Sequence, residues 1–317
     1  MAVKMKKPNI VVVIPARNEE KTIKQVIQET YKVNKKNKLG KMKILVVDDA
    51  SIDDTGKIAK KYADKVVRGE GEGLGECMLL GLREALKFNP DIIVSIDADG
   101  QSDPKEIPNF VKPIINDKAD MVIGSRFLKA DLIKYKMEFS HLIGNKILAW
   151  FLRRITKIPI TDSHGGIRAM RRKVVDKMKT IASHTYVQET VIDAVDRRFR
   201  IKEIPSIWRK RSHGETKVVH SIKKYIFWVL PVLLLRSGLF MKFFPIGIIV
   251  TLIGLFFGCY LVFVVSPGTP LGTNLYPHLI LVTLIISIGF NLFLFGVLFN
   301  LIIQLRNKIF NLTRDRR

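Results

Sequence analysis

Asp97-Ala98-Asp99-Gly100-Gln101 sets three oxygen-bearing side chains at alternate positions directly after Ile92-Ile93-Val94-Ser95-Ile96. That apolar, β-branched run without alternation reads as a strand buried on both faces of a parallel sheet. If the backbone stays extended beyond it, residues two apart point the same way. Asp97, Asp99 and Gln101 then converge at the sheet's carboxyl edge, where open α/β sheets bind ligands. Two carboxylates and an amide oxygen suit a hard cation, Mg²⁺ or Mn²⁺, which completes its shell with substrate phosphates. Asp-x-Asp arises by chance in a chain of this size, so its place after a buried strand is what marks it.

The elements that must position these residues follow from periodicity. Asn9–Ile14 is a first strand, left through Pro15-Ala16-Arg17-Asn18-Glu19-Glu20, and Ile23, Val26, Ile27 and Tyr31 recur at helical spacing. A basic, polar loop (Asn34–Lys41) leads to a strand at Lys43–Val47 that ends in Asp48-Asp49-Ala50-Ser51. A helix from about Asp53 to Tyr62 and a short strand, Lys65–Arg68, come next. Gly69–Gly75 lacks the Gly-Lys-Ser/Thr of a phosphate cradle and reads as a flexible turn opening a helix that reaches about Phe88. Pro104 sits at a helix start, that helix reaches about Asn116, and Met121–Gly124 is another strand, ending in Ser125-Arg126. The alternation, with polar groups at the strand ends, predicts an α/β fold with a mostly parallel, Rossmann-like sheet.

Lys and Arg number 53 against 29 Asp and Glu, a net charge of +24 that fits a nucleic-acid or an anionic-membrane partner. The position of the charge separates the two. From Phe243 to Leu305 there is no Lys, Arg, Asp or Glu, and basic residues crowd on either side. A charge-free apolar stretch of that length is a membrane region. Its break at Ser266–Pro277, with three prolines and two glycines, divides it into spans of about Phe243–Val265 and Leu279–Leu305. Lys242 and Arg306–Arg317 are basic while the middle loop is uncharged, which predicts both termini in the cytoplasm. A membrane, not a nucleic acid, is the expected partner. Asn291, in mid-span, reads as helix-packing glue rather than a transport site.

Two further segments are basic and amphipathic. Ser140–Ile155 turns Leu142, Ile143, Ile147, Trp150 and Phe151 to one side, with Asn145, Lys146, Arg153 and Arg154 elsewhere, and reads equally as an interfacial or a core helix. Val218–Tyr225 repeats the pattern immediately ahead of the apolar region and reads as interfacial. Cys77 and Cys259 are too far apart in character for a disulfide, and the opening apolar run of five is too short for a signal peptide.

In order, Pro15–Glu20, Val46-Val47-Asp48-Asp49-Ala50-Ser51, Asp97–Gln101 and Gly124-Ser125-Arg126 resemble the pattern of family 2 glycosyltransferases with the GT-A fold. Thr161-Asp162-Ser163-His164-Gly165-Gly166-Ile167-Arg168 and Arg211-Ser212-His213-Gly214-Glu215-Thr216-Lys217 look like the polyprenyl-phosphate (dolichyl-phosphate) sugar transferases within it. The resemblance covers about Ile10 to Lys217. It implies a metal-dependent, inverting transfer from a nucleoside-diphosphate sugar (GDP-mannose, UDP-glucose or a UDP-N-acetylhexosamine) to a polyprenyl phosphate. It also implies a catalytic domain over 1–217, an interfacial segment over 218–240 and a two-helix anchor over 241–317.

Residue by residue, the resemblance makes Pro15, Ala16, Asn18, Glu19 and Asp49 the nucleoside holders. Asp97 lies near ribose or metal, and Asp99 and Gln101 are the ligands of the cation on the diphosphate. Arg126, Arg168, Arg211 and Lys217 form an anion-binding set for the lipid phosphate and the sugar. Asp162 is a base or orienting group, or else a cap or salt-bridge partner. Glu189 faces the sugar pocket or, as the simpler reading, is a helix-surface acid. Where the family often has Ser-Gly-Phe this chain has Gly165-Gly166-Ile167, which removes a hydroxyl, and His141 and His213 stand where basic residues are frequent. A processive polysaccharide synthase shares the core but needs more spans and Gln-x-x-Arg-Trp, a context that Trp208 lacks.

Overall fold

The computed structural model describes residues 7–129, 131–134, 137–178, 186–210, 242–265 and 275–314. The chain divides into two compact units, Met1–Val229 and Leu230–Arg317.

The first unit is built on a seven-stranded sheet: β1 (Asn9–Ala16), β2 (Lys41–Asp49), β3 (Lys65–Gly69), β4 (Ile92–Ser95), β5 (Met121–Ser125), β6 (Arg168–Arg171) and β7 (Ile201–Pro205). Their order is β3-β2-β1-β4-β6-β5-β7. The neighbours β3, β2, β1 and β4 run parallel, as do β5 and β7. β6 alone runs against its neighbours, β4 and β5. β1 and β4 are covered on both faces, so their β-branched runs are fully buried. Helices α1 (Ile23–Asn37), α2 (Thr55–Tyr62), α3 (Leu74–Leu86) and α4 (Ile107–Ile115) are the crossovers. Ile23, Ile27, Phe110 and Ile114 from α1 and α4 pack with Ile10, Val12 and Val94 in the main core.

Several boundaries differ from the expectation. α1 continues to Asn37, into the first half of the stretch read as a polar loop, and stops where Lys38 takes a left-handed conformation (φ 49°). Pro104 opens a short 3₁₀ turn, Pro104–Glu106, before α4 begins. The sheet does not end at β5. β6, with sequence Arg-Ala-Met-Arg, is too short and too charged to read as a central strand, yet it is one. Helices α5 (Phe139–Thr156), α6 (Arg172–Lys177) and α7 (Tyr186–Asp196) complete this unit. α5 buries Leu148, Ala149 and Leu152 and turns Phe139, Ile143, Ile147 and Trp150 to solvent. Asn145, expected on the polar side, is buried.

The second unit is a hairpin of α8 (Phe243–Tyr260), extended by a π turn over Leu261–Val265, and α9 (Tyr276–Arg314). Each contains a segment long and apolar enough to cross a membrane, Phe243–Phe263 and Tyr276–Ile302, with mean hydropathy 2.5. The two helices meet through a seam of glycines. A Cβ on Gly247 would stand 2.3 Å from the Phe293 nitrogen, and one on Gly289 would stand 2.5 Å from that of Thr251. Such backbone approach is how apolar helices associate without a hydrophobic drive. The Asn291 side chain donates to the Ser287 carbonyl of its own helix (2.8 Å), which satisfies it locally rather than across the seam. Val218–Tyr225 and most of the loop between the spans lie outside the described residues.

Candidate active site at the carboxyl edge of the sheet

The exits of β1 and β2 lie side by side, with Pro15 opposite Val47 and Ala16 opposite Asp48. Both loops then bend through left-handed residues, Asn18 (φ 51°) and Ala50 (φ 52°), and brace each other with side chains. Asn18 N–H donates to Ser51 Oγ (3.0 Å), and Asn18 Oδ1 accepts from Ile52 N–H (2.9 Å). Glu19 N–H donates to Thr55 Oγ1 (2.7 Å). Asp49 accepts from Gly71 N–H (3.0 Å) and lies 3.6 Å from Arg17 Nη1. Gly71 (φ 82°) and Gly73 (φ 105°) make Gly69–Gly75 the turn that was expected, with Gly73 capping α3. The structure thus brings together Pro15, Ala16, Asn18, Glu19 and Asp49.

Asp97, Asp99 and Gln101 stand beyond β4, but not on an extended path. The chain turns over Ala98–Asp99, Asp99 Oδ1 accepts from Gln101 N–H (2.9 Å), and Gly100 takes φ 75°. An Asp carboxylate reaching the amide two residues on is an Asx turn, and it overrides strand parity. The Gln101 carboxamide nitrogen donates to the Arg209 carbonyl (3.4 Å), which leaves its oxygen as the atom able to ligate. Among the described residues no three His, Cys, Asp or Glu side chains stand together as a metal set. The donor chemistry still fits a hard divalent cation that takes most of its shell from substrate oxygens.

Beyond β5 the site becomes a buried charge network. Arg126 pairs bidentately with Asp162, Nε to Oδ2 at 2.6 Å and Nη2 to Oδ1 at 2.8 Å. The backbone N–H groups of Arg126 and His164 also donate to that carboxylate. Burial pushes the Asp162 carboxyl up, but the charge and hydrogen bonds of Arg126 outweigh it and hold it below its ordinary value. Asp162 is a salt-bridge partner of Arg126, a place compatible with orienting it. A carboxylate already accepting four hydrogen bonds makes a poor base. Glu203 of β7 braces the same loop, accepting from the N–H groups of Thr161 (2.9 Å) and Asp162 (3.0 Å).

Two members of the expected anion-binding set, Arg126 and Arg168, lie among the described residues. Arg126 faces Asp162, and Arg168, 4% exposed, donates through Nη1 to the Val187 carbonyl (2.8 Å) and Thr190 Oγ1 (2.9 Å), tying β6 to α7. Arg211 and Lys217 lie outside the described residues. Glu189 is buried on α7, so the surface reading fails.

Sequence reasoning also missed His164. Its Nδ1 is 2.6 Å from Ser163 Oγ and its Nε2 is 3.3 Å from Gln188 Nε2. Burial, then the neighbouring Arg126 charge, lowers its imidazole to about 4. The missing hydroxyl at Gly165 has a packing cause, because a Cβ there would stand 1.8 Å from the Gly124 carbonyl oxygen. A Cβ on Gly166 would meet Ser102 Oγ at 2.5 Å and both Asp97 Oδ2 and Trp208 Nε1 at 3.1 Å. Backbone alone fits between these groups.

Comparison with known proteins agrees with this geometry. The family described as Glycosyl transferase family 2 matches residues 11–179. An uncharacterized protein of Methanocaldococcus jannaschii is 36% identical over 204 residues, 63% of this chain and 81% of that one. The UDP-N-acetylglucosamine–dolichyl-phosphate N-acetylglucosaminyltransferase of Methanococcus voltae is 31% identical over 217 residues, 62% of this chain and 84% of its own. Among solved structures, glucosyl-3-phosphoglycerate synthase of Mycobacterium tuberculosis, crystallised with Mn²⁺ and UDP, superposes with a TM-score of 0.56. At 22% identity it covers 73% of this chain and 80% of that one, a likeness of fold. Sequence family, sheet order and the braced strand ends agree, and the chain belongs to glycosyl transferase family 2, an enzyme of GT-A fold.

Proposed function

We propose that the enzyme transfers a sugar from a nucleoside-diphosphate sugar to a polyprenyl phosphate at the cytoplasmic face of a membrane. The observation that carries this reading is the meeting, on one sheet edge, of a braced loop pair, a carboxylate turn and a buried arginine, in a chain that also bears two membrane-length helices. The names of its relatives support it. The Methanococcus voltae protein is a dolichyl-phosphate N-acetylglucosaminyltransferase, and a 27% identical protein of Mycolicibacterium smegmatis is a polyprenol monophosphomannose synthase.

In this reading Pro15, Ala16, Asn18, Glu19 and Asp49 hold the nucleoside, and Asp97, Asp99 and Gln101 hold Mg²⁺ or Mn²⁺. A bound cation would neutralise charge building on the departing diphosphate. An acceptor phosphate oxygen, anionic at neutral pH, forms a bond to the anomeric carbon as the bond from that carbon to the diphosphate breaks, with inversion. No strong base is needed, which suits the low proton affinity of Asp162. Asp162 instead orients Arg126, whose remaining N–H groups attract an anion. Arg168 fixes the floor of the sugar pocket, and Arg211 and Lys217 receive the lipid phosphate. The exposed Phe139, Ile143, Ile147 and Trp150, beside Lys146, Arg153 and Arg154, give α5 the make-up of an interfacial helix. On their sequence pattern we assign 218–240, which lie outside the described residues, to an interfacial segment, and 241–317 to an anchor with both spans' basic flanks cytoplasmic.

The test is a screen of GDP-mannose, UDP-glucose and UDP-N-acetylhexosamines against a polyprenyl phosphate in membranes, with and without chelator. One donor should give a lipid-phosphate sugar only when Mg²⁺ or Mn²⁺ is present, and Asp99→Asn should lower turnover by about 10² or more while the fold persists. Full activity in chelator excludes the cation site, and no lipid product from any donor excludes the acceptor class.

A further inference from the structure

Trp208 lies outside every motif above, yet three segments of the site meet on it. Its backbone N–H donates to the Leu132 carbonyl (2.8 Å) and its carbonyl accepts from Lys134 N–H (2.9 Å), pinning the chain that leaves β5. Its indole Nε1–H donates to Ser102 Oγ (3.2 Å), one residue past the carboxylate turn. The next residue closes the junction, with Arg209 N–H donating to the Gln101 carbonyl (2.8 Å). The ring face carries the Arg126 guanidinium, whose central carbon stands 4.1 Å from the ring centroid. Arg126 is therefore held edge-on by Asp162 and face-on by Trp208, an arrangement that fixes a planar cation in orientation as well as place.

We propose that Trp208 is a positioning residue: one side chain holds the Asp97–Gln101 turn and the Arg126 guanidinium in register, so that the groups facing the two phosphates of the reaction keep a fixed spacing. The proposal rests on the nucleotide-sugar reading for its kinetic consequences, but not for its contacts. Alignment of this kind acts on turnover rather than on ground-state binding.

The experiment uses the full chain in lipid nanodiscs, with Trp208→Leu, Trp208→Phe, Ser102→Ala and the Trp208→Phe/Ser102→Ala pair. Trp208→Leu removes both contacts and should lower kcat about thirtyfold while donor KM moves less than about threefold. Trp208→Phe keeps the platform and loses one neutral hydrogen bond, for a loss of about fivefold. Ser102→Ala should match it, and the pair should be no worse than either alone, since both delete the same bond. An unchanged kcat in Trp208→Leu, or a loss confined to donor KM and melting temperature, overturns the proposal. So does additivity of Trp208→Phe with Ser102→Ala. If the wild-type enzyme makes no lipid-linked sugar, the reading of the reaction fails instead. The contact is then judged by a Trp208→Leu/Arg126→Met cycle in thermal stability, where coupling supports the platform and additivity removes it.

Discussion

The two ends of the catalytic edge are held by different chemistry. At the β1–β2 end, short polar side chains bond to single backbone N–H groups of the neighbouring loop: Asn18 to Ile52, Asp49 to Gly71, Thr55 to Glu19. At the β5–β6 end, ionised groups are buried against one another, with Asp162 3% and Arg126 7% exposed. Asp49 and Thr55 are themselves buried, but their partners here are backbone N–H groups rather than opposite charges, and at the exposed Ile52 such a bond can be exchanged for water. A buried ion pair has no such substitute, and removing one partner strands the other. The β1–β2 end is thus held by separable single bonds, while the far end is held by a paired charge that keeps its geometry.

The strongest way to break the contrast is Asp162→Asn. It leaves the buried Arg126 uncompensated and should cost about 3–5 kcal/mol in denaturant unfolding. Replacing both members by apolar residues should recover much of that loss. A cost near that of an exposed pair would mean the two ends are not different in kind.

Acid sharpens the comparison. The folded-state value of His164, about 4, lies below its ordinary 6.5, so the unfolded chain binds the proton first. Stability from this group is complete above about pH 6.5 and is lost as pH falls toward 4, at about 1.4 kcal/mol per pH unit. His164→Gln should flatten that slope in a series of unfolding curves. Asp162, depressed from 3.8, keeps its contribution through that window and loses it only as pH falls further, through its folded value.

The smallest effect belongs to the β1–β2 end. Asn18→Ala removes the Ile52 brace and should cost about 1 kcal/mol in stability. The same variant should weaken nucleoside-diphosphate binding, measured by calorimetry, more than it slows a bound donor.

What could be read from the sequence follows the same division. β1, β2 and β4 announce themselves because burial on both faces leaves no choice but Val and Ile, and their polar exits are contiguous motifs. The placement of Asn18, Glu19 and Asp49 at those exits was legible for that reason, while their role rests on the family resemblance. β6 was not, because its two arginines are stabilised by distant partners: Arg168 by Val187 and Thr190, Arg171 by Asp117 and Asp120. Glu203 and Trp208 were invisible for the same reason, since each acts on segments 40 to about 100 positions away. The turn at Asp97–Gln101 was misjudged more simply. Strand parity was extended past the strand, where a side chain–backbone bond took over.

One consequence of the sheet order remains. Because β6 runs against β5, with Ile123 opposite Arg168, the chain departs from the carboxyl edge after Ser125 and returns to that edge at the start of β6. Everything between, α5 included, is an excursion whose two ends are neighbours. The entropy of closing such a loop grows only slowly with its length. The excursion can therefore be lengthened, shortened or replaced as a cassette while β1, β2 and β4, which carry the opposite end of the site, keep their register. On the function proposed above, a scaffold of this kind lets evolution, or an engineer, change the acceptor side without rebuilding the donor side.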